Sequence, residues 1–515
     1  MNSESAPAAA PRRRFSPLDA IERIGNRLPH PATLFVLFAV VTLLASWLAA
    51  KLGVQVANPK DGSVIAAVNL LDREGIRRTF VDAVRNFTGF APLGTVLVAM
   101  LGIGIAEGTG LIGVTLRALV LSVPRRWLTL TLMFAAVNGA MAADAGIIVL
   151  PPIAAMLFAA SGRHPLAGIA AAFAGVAGGF GACVLPTSLD VLLSGFSQAA
   201  LDASRLLPGY HVQILGNWYF MAAASPLLAI VGTVITEKLI EPRLGPWRSE
   251  APQELAALSG EERRGLAFAL AALAGTAALA LVLTLPAGAP LREAAGASTI
   301  ERIRPFLDSM VVWVLLLFFV PGLAYGIATR RVRNDHDVAK ITTDTMASMG
   351  AYIVLAFVAA QFLNYFSRSN LGAIIAVNGA NLLKGFGLEG APLIFGLVAL
   401  AAGINLFLTS SSALWGIMGP IFVPMFVLLG LTPEATQAIY RIGESSTNIV
   451  TPLMVYMPFI LSYMNRYDEK AGTGTVISLM VPYTIAFLIA WTLLMLCFHA
   501  FGWPIGPGVG ITLPR

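Results

Sequence analysis

Arg441 and Glu444 stand three residues apart in the stretch Arg441-Ile442-Gly443-Glu444-Ser445-Ser446-Thr447-Asn448-Ile449-Val450-Thr451-Pro452, flanked on both sides by apolar residues. On a helix that spacing puts the two charges on one face, where they can pair. Charges enclosed by apolar residues are costly unless paired or hydrogen-bonded. Two readings follow. Arg441 anchors an organic anion while Glu444 carries a proton, or the two form a structural ion pair at a helix end. A second polar run, Asn405-Leu406-Phe407-Leu408-Thr409-Ser410-Ser411-Ser412-Ala413-Leu414-Trp415, holds four consecutive hydroxyls between apolar segments, the pattern of a hairpin tip. Hydroxyls and free carbonyls suit Na+, since hard cations take oxygen ligands. Ser410, with Thr447 and Asn448 of the first stretch, makes the candidate cation set. Trp415 offers a flat face for an aromatic ring. The alternative for this run is helix packing through hydroxyls, with an interfacial tryptophan.

A further polar break reads Gly178-Gly179-Phe180-Gly181-Ala182-Cys183-Val184-Leu185-Pro186-Thr187-Ser188-Leu189-Asp190. Gly and Pro loosen a helix here, and Asp190 supplies a carboxylate. Cys183 is either buried packing, as thiols commonly are, or part of a cavity wall that a small impermeant thiol reagent reaches. The two breaks belong to an internal pattern. Asp144, Pro152, Gly162, Pro165 and Gly175 correspond to Ser412, Pro420, Gly430, Pro433 and Gly443, each pair separated by 268 residues. Paired interrupted apolar segments point to transporter repeats with a midplane binding site. Asp144 is a further candidate gate or proton site, or a carboxylate that reaches headgroup water.

The elements that carry these residues follow from composition. Of 515 residues, 57% are hydrophobic and 12% charged, where soluble domains carry about 25% charged residues. Apolar runs recur from residue 31 to 502, many near the roughly 20 residues a membrane helix needs. They do not alternate as the strands of an outer-membrane barrel would. The chain therefore reads as an all-α polytopic membrane protein. No cleavable leader is expected, because the first apolar run begins only at residue 31.

The net charge of +6 reports topology rather than nucleic-acid binding, since basic loops stay cytoplasmic. Arg12, Arg13 and Arg14 place the N-terminus inside. The loops with Lys238, Arg243, Arg248, Arg263 and Arg264, and with Arg330, Arg331, Arg333 and Lys340, are inside too. Segment 53–90 is then periplasmic. Ile76, Phe80, Val84 and Phe87 fall on one face of an interfacial helix there. Nothing supports catalysis. The chain has no phosphate-binding loop, and its five histidines are scattered without metal spacing. Gly102-Ile103-Gly104 is only a fragment of a dinucleotide fingerprint inside an apolar run. Cys183 and Cys497 form no thiol framework.

Five stretches are distinctive: Leu28-Pro29-His30-Pro31-Ala32-Thr33-Leu34-Phe35, Asn86-Phe87-Thr88-Gly89-Phe90-Ala91-Pro92-Leu93-Gly94-Thr95, Gly162-Arg163-His164-Pro165-Leu166-Ala167-Gly168, Pro420-Ile421-Phe422-Val423-Pro424-Met425, and Ala438 to Gly443 continuing into Thr447-Asn448-Ile449. Together they resemble the AbgT family, the p-aminobenzoyl-glutamate transporters and their sulfonamide-exporting relatives. The resemblance spans about Ile21 to Gly508. It implies about nine transmembrane helices plus two re-entrant hairpins arranged as inverted repeats, a homodimer in the bilayer, and proton- or sodium-coupled movement of p-aminobenzoate-type compounds. It also points to Asp190, Asn405, Ser412, Trp415, Pro433, Arg441, Glu444 and Pro452 as site residues. The family pattern usually has aspartate at Glu444, Ser-Ala-Asn at Gly181-Ala182-Cys183, and Ser-Asn with Glu where this chain has Gly139-Ala140 and Asp144. The first half is thus poorer in polar ligands, which favours proton over sodium coupling.

The expected organisation is a cytoplasmic segment 1–30, a first half 31–240, a cytoplasmic linker 241–263, a second half 264–505 and a periplasmic tail 506–515. Hairpins fall near 127–160 and 391–430, and broken helices near 166–200 and 434–464. The expected function is inner-membrane export of small aromatic carboxylates or sulfonamides without a cofactor, H+ or Na+ being the coupling ion. The alternatives are uptake of p-aminobenzoyl-glutamate and a non-transporting membrane scaffold.

Overall fold

The computed structural model describes residues 31–57, 62–121, 125–142, 144–247, 257–293, 302–387, 390–451, 453–454 and 456–513. The expected N-terminal segment with its three arginines, Arg248 and Pro452 lie outside the described residues. The first half holds α1 (Pro31–Lys51), α2 (Arg73–Val81), α3 (Ala83–Thr88), α4 (Ala91–Gly108), α5 (Leu111–Leu121), α6 (Leu128–Val137), α7 (Asp144–Ala160), α8 (Pro165–Phe173), α9 (Ser188–Ser204), α10 (Trp218–Ile235) and α11 (Glu241–Leu244). The second holds α12 (Gly260–Thr284), α13 (Arg304–Asp308), α14 (Met310–Ala328), α15 (Asp335–Ser348), α16 (Gly350–Arg368), α17 (Leu371–Gly385), α18 (Ala391–Asn405), α19 (Ser411–Leu428), α20 (Pro433–Thr447), α21 (Met457–Asn465) and α22 (Thr473–Phe501). Among the described residues the all-helical reading is modified by a small ribbon in the segment after α1 and by isolated bridges Leu431–Thr512 and Gly506–Val509. In the ribbon, β1 (Gln55–Ala57) pairs antiparallel with β2 (Val64–Ala66), Val56 facing Ile65.

Among the described residues, seven helices are long and apolar enough to cross a bilayer. The number is eight if α4 and α5, bent by 60° at their junction, count as one broken span. The expected nine is not reached on this measure because α6, α7, α8 and α18 are shorter apolar helices. Large apolar side chains cover the outside of the bundle, as lipid contact requires: Val41 is 58% exposed and Val282 63%. The expected interfacial helix forms as two pieces, α2 and α3, meeting at Asp82. Its apolar face is open at Ile76, Phe80 and Val84, while Phe87 packs edge-on against Phe357 at 5.5 Å.

Two helix–tip–helix units position the breaks. In the first, α6 and α7 are joined by a tight 3-10 turn at Asn138–Ala142, and α8 packs against both arms. In the second, α18 and α19 are joined by 406–410, and α20 packs against both arms. The residues matched by the 268-residue spacing occupy matching places. Gly162 and Gly430 both turn the chain with positive φ, +73° and +87°. Pro165 and Pro433 each open a helix, where a missing N–H costs nothing. Pro152 and Pro420 lie inside α7 and α19.

The two turns sit at opposite ends of the molecule, with α22 as the ruler. Its 29 residues span about 43 Å. Near its start, Trp247 packs edge-on between Tyr467 and His164 of the first turn, at 6.1 and 5.2 Å. Beyond its end, Thr432 and Leu513 exchange backbone bonds with Ile511 and Gly430 at the second turn.

Candidate transport site

The first break grows out of α8. Pro165 starts that helix, and His164 caps it by accepting the Leu166 N–H at 3.3 Å. The small residues Ala174–Gly178 then widen into a π-turn, a form that recurs at functional sites. Gly181 takes φ +90°, a conformation a side-chain-bearing residue adopts only under strain. A Cβ there would also strike the Arg441 guanidinium. Helix α9 restarts at Ser188. Asp190 holds its first turn, its Oδ2 accepting from Thr187 N at 2.7 Å and Thr187 Oγ1 at 2.8 Å. The second break follows α20, which Thr432 caps by accepting the Ala435 N–H at 3.2 Å. Every residue of α20 is buried, so its polar side chains must find partners inside the protein.

Those partners cross between the halves. Arg441 donates to Asp190 Oδ1 at 2.5 Å and to the Gly181 carbonyl at 2.8 Å. Ser445 Oγ lies 2.5 Å from the Phe180 carbonyl and 2.9 Å from Glu444 Oε2. The Arg441–Glu444 ion pair, the alternative that the spacing allowed, does not form. Arg441 turns toward the first break, whereas Glu444 turns toward the tip of the second hairpin. Glu444 is fully buried and accepts from Ser411 Oγ and, at 3.1 Å, from Asn448 Nδ2. Asn405, at the end of α18, donates to the Glu444 carbonyl, Asn448 Oδ1 and Thr447 Oγ1 at 2.8, 2.9 and 3.1 Å.

A cavity of about 320 Å³ lies between both breaks and the second hairpin tip. Ser410, Ser411 and Ser412 line it, with Asn448 opposite and the rings of Phe180 and Tyr456 on its walls. Ser188, the first residue of α9, lines it as well. Two helices, α9 and α19, thus begin at this cavity, and helix N-termini carry partial positive charge and unpaired N–H groups.

The sequence-derived candidates divide accordingly. Ser412, Ser410 and Asn448 line the cavity, and Ser410 also caps α19 by accepting from Ala413 N. Asn405, Asp190, Arg441 and Glu444 form the layer beneath. Thr447 is not at the cavity, its hydroxyl being bound to the Gly443 carbonyl at 2.9 Å. Trp415 does not present an open face. It is fully buried, packs against Tyr440 with ring centroids 4.6 Å apart and planes tilted by 33°, and donates to Ser197 Oγ at 3.0 Å. Cys183 is 2% exposed, 3.7 Å from the Val137 carbonyl, and borders a void of about 10 Å³ instead of the cavity. Pro433 opens α20 and plays a structural part.

Asn138 was missed. It fixes the first break by accepting the Val184 N–H at 2.9 Å and donating to Ser225 at 2.8 Å. The signal was available, because Asn138 precedes Asn405 by 267 residues, one short of the repeat spacing. Ser411 and Ser445 lay in the quoted polar stretches but had no polar counterpart at the repeat spacing, and Tyr440, whose hydroxyl donates to the Ser411 carbonyl at 2.8 Å, gave no signal.

The model of the AbgT putative transporter family matches residues 16–513. The chain belongs to the AbgT transporter family. It is 40% identical over 490 residues to the p-aminobenzoyl-glutamate transport protein of Escherichia coli (strain K12), covering 95% of this chain and 96% of that one. Among AbgT structures, it is similar to the YdaH transporter of Alcanivorax borkumensis, with 41% identity, a TM-score of 0.87 and coverage of 93% of this chain and 100% of that one. It is also similar to MtrF of Neisseria gonorrhoeae, described as illuminating a class of antimetabolite efflux pumps. There the identity is 42%, the TM-score 0.89 and the coverage 96% and 99%. The relatives from Escherichia coli and Alcanivorax borkumensis are both named as transporters.

Proposed function

We propose that this AbgT-family transporter exports p-aminobenzoate-like aromatic acids and sulfonamide antimetabolites across the bacterial inner membrane, working as a proton-driven antiporter. The observation that carries this reading is the cavity itself. Helix N-termini at Ser188 and Ser411 suit a carboxylate or sulfonyl group, and Phe180 and Tyr456 suit an aromatic ring. Its volume of about 320 Å³ is at the small end of the usual ligand range. Arg441 is already neutralised by Asp190 beneath the floor. It acts by joining the two halves through Asp190 and the Gly181 carbonyl, while its buried Nε has no hydrogen-bond partner.

Glu444 is the proton carrier. Among the described residues no cation pairs with it, and its carboxylate is one of the ties of α20 to the hairpin tip, through Ser411 and beside the bond from the Tyr440 hydroxyl to the Ser411 carbonyl. Protonation removes an acceptor from that tie and loosens the tip, which couples proton uptake to opening. Sodium bound by Ser410, Ser412 and Asn448 is the competing route. The protein works as a homodimer with the N-terminus in the cytoplasm.

Uptake of p-aminobenzoyl-glutamate is the second reading, favoured by the name of the relative from Escherichia coli. The deciding experiment is flux of labelled p-aminobenzoate and p-aminobenzoyl-glutamate in proteoliposomes, with proton and sodium gradients imposed separately. Flux that follows the sodium gradient and ignores the proton gradient overturns the proton reading.

A further inference from the structure

A second cavity, of about 510 Å³, opens between α5 and α12. Its walls are apolar: Ile112 and Leu116 of α5, Leu266 and Ala269 of α12, Phe318 and Pro321 of α14. Thr115 and Leu270 line it and are exposed, Leu270 at 66%. The mouth is therefore on the flank of the bundle, beside the largely lipid-facing helix α12. Its far wall is the back of the first break. Val184 and Leu185 line it, together with Asn138, which accepts the Val184 N–H.

Charge marks one end. Arg263, Leu266, Leu270 and Leu273 recur on one helical stripe, so the stripe that lines the cavity ends in a guanidinium one turn beyond Leu266. Arg263 is exposed, and Glu261 falls on the opposite face of the helix. Arg117, next to Leu116, binds Glu262 at 2.5 Å yet keeps a buried Nε without a partner. Arg126 and Trp127 are exposed just beyond α5, the pairing typical of a membrane interface.

An apolar cavity of this kind stays free of water, and left empty it forfeits dispersion contacts along its walls. In a bilayer the filler at hand is a hydrocarbon chain, and each basic residue near the surface adds about 1 kcal/mol for an anionic headgroup. We propose that this cavity holds one acyl chain of an anionic phospholipid whose phosphate sits at Arg263, and that the chain braces Val184 and Leu185 from behind the break. The site lies outside the substrate cavity and does not depend on the direction or coupling of transport.

The test uses the full-length protein in phosphatidylethanolamine bilayers doped with a phosphatidylglycerol carrying a mid-chain diazirine. After irradiation, adducts should concentrate on Val184–Leu185 and on Leu266–Leu273, and unlabelled phosphatidylglycerol should compete better than phosphatidylcholine. Ala269→Trp, which fills the cavity, should lower these adducts about tenfold while adducts on α1 stay constant. Thr115→Trp, at the exposed mouth, is the second variant and should act in the same direction with less demand on packing. Arg263→Gln should reduce the preference for phosphatidylglycerol about fivefold, the equivalent of about 1 kcal/mol. Adducts spread evenly over α1, α12 and α22 and unmoved by either filling variant overturn the proposal. So does a protein–protein cross-link from a photoreactive residue at position 270, which assigns the face to a second copy. Displacement of the adducts by p-aminobenzoate assigns the cavity to substrate and overturns it equally.

Discussion

Arg441 and Asp190, 251 residues apart in the chain, meet at 2.5 Å in the buried layer between the two breaks. Breaking a buried pair by removing one partner strands the other and costs about 3–5 kcal/mol. Arg441→Ala and Asp190→Ala are each expected to lower the thermal midpoint and abolish flux. The double variant should recover much of the stability, having no stranded charge, and none of the flux. Recovery of both would make the pair a structural fastening without a part in transport.

Glu444→Gln keeps the shape of the side chain and some of its hydrogen bonds to Ser411 and Asn448, but it cannot exchange a proton. The variant should fold normally and lose the dependence of flux on an imposed proton gradient. Counterflow of substrate at equal pH, which needs no net proton movement, should persist. Proton-dependent flux retained at the wild-type level assigns the coupling proton elsewhere.

Gly181 sits at φ +90° with the Arg441 guanidinium against it. Gly181→Ala is expected to cost about 1–3 kcal/mol from backbone strain and to weaken the Arg441–Asp190 contact as well. Chemical denaturation and flux should both report the loss. A neutral outcome would show that the break relaxes freely around a methyl group.

Cys183 should resist a small impermeant thiol reagent in the resting protein, measured in a Cys497→Ser background, because it is buried beside a void of about 10 Å³. Labelling that rises under turnover, and falls when substrate is saturating, would show that the first break opens to the pathway during the cycle. Rapid labelling at rest contradicts the packing described here.

His164 supplies the pH prediction. Its ring is half-buried beside Trp247, with Asp468 and Glu241 near, and burial holds its pKa below the ordinary value of 6.5. The folded protein therefore binds this proton less readily than the unfolded chain does. Its contribution to stability is complete above about pH 6.5 and is lost as pH falls from there toward the lower folded value. Protonation on Nδ1 would also remove the acceptor that caps α8. His164→Asn, which preserves a capping side chain, should flatten the acid side of the curve of thermal midpoint against pH.

The sequence by itself determined the environment and the landmarks. Apolar runs near membrane length, sparse charge and basic loops require helices in a bilayer, because an unsatisfied backbone is too costly there. Proline and glycine at a 268-residue spacing marked the turns at Gly162 and Gly430 and the helix starts at Pro165 and Pro433, since these residues dictate backbone conformation locally. Asp190, Arg441, Glu444 and the serine run likewise stood out as polar groups in apolar surroundings. What the tertiary structure decided was partnership. Arg441 and Glu444 share a helix face by spacing, yet one bonds across to Asp190 and the other to Ser411, because α20 is enclosed on all sides and each group takes the nearest complementary atom from a different element. Trp415 was legible as a residue of its polar segment but not as a buried one, and for Cys183 burial was one of two open readings. Burial depends on what packs against a helix, and for Trp415 that is Tyr440 and Ser197, the latter 218 residues away in the chain. Asn138 was hidden for the same reason, since a lone amide in an apolar run acquires a role only when a distant backbone N–H arrives opposite it.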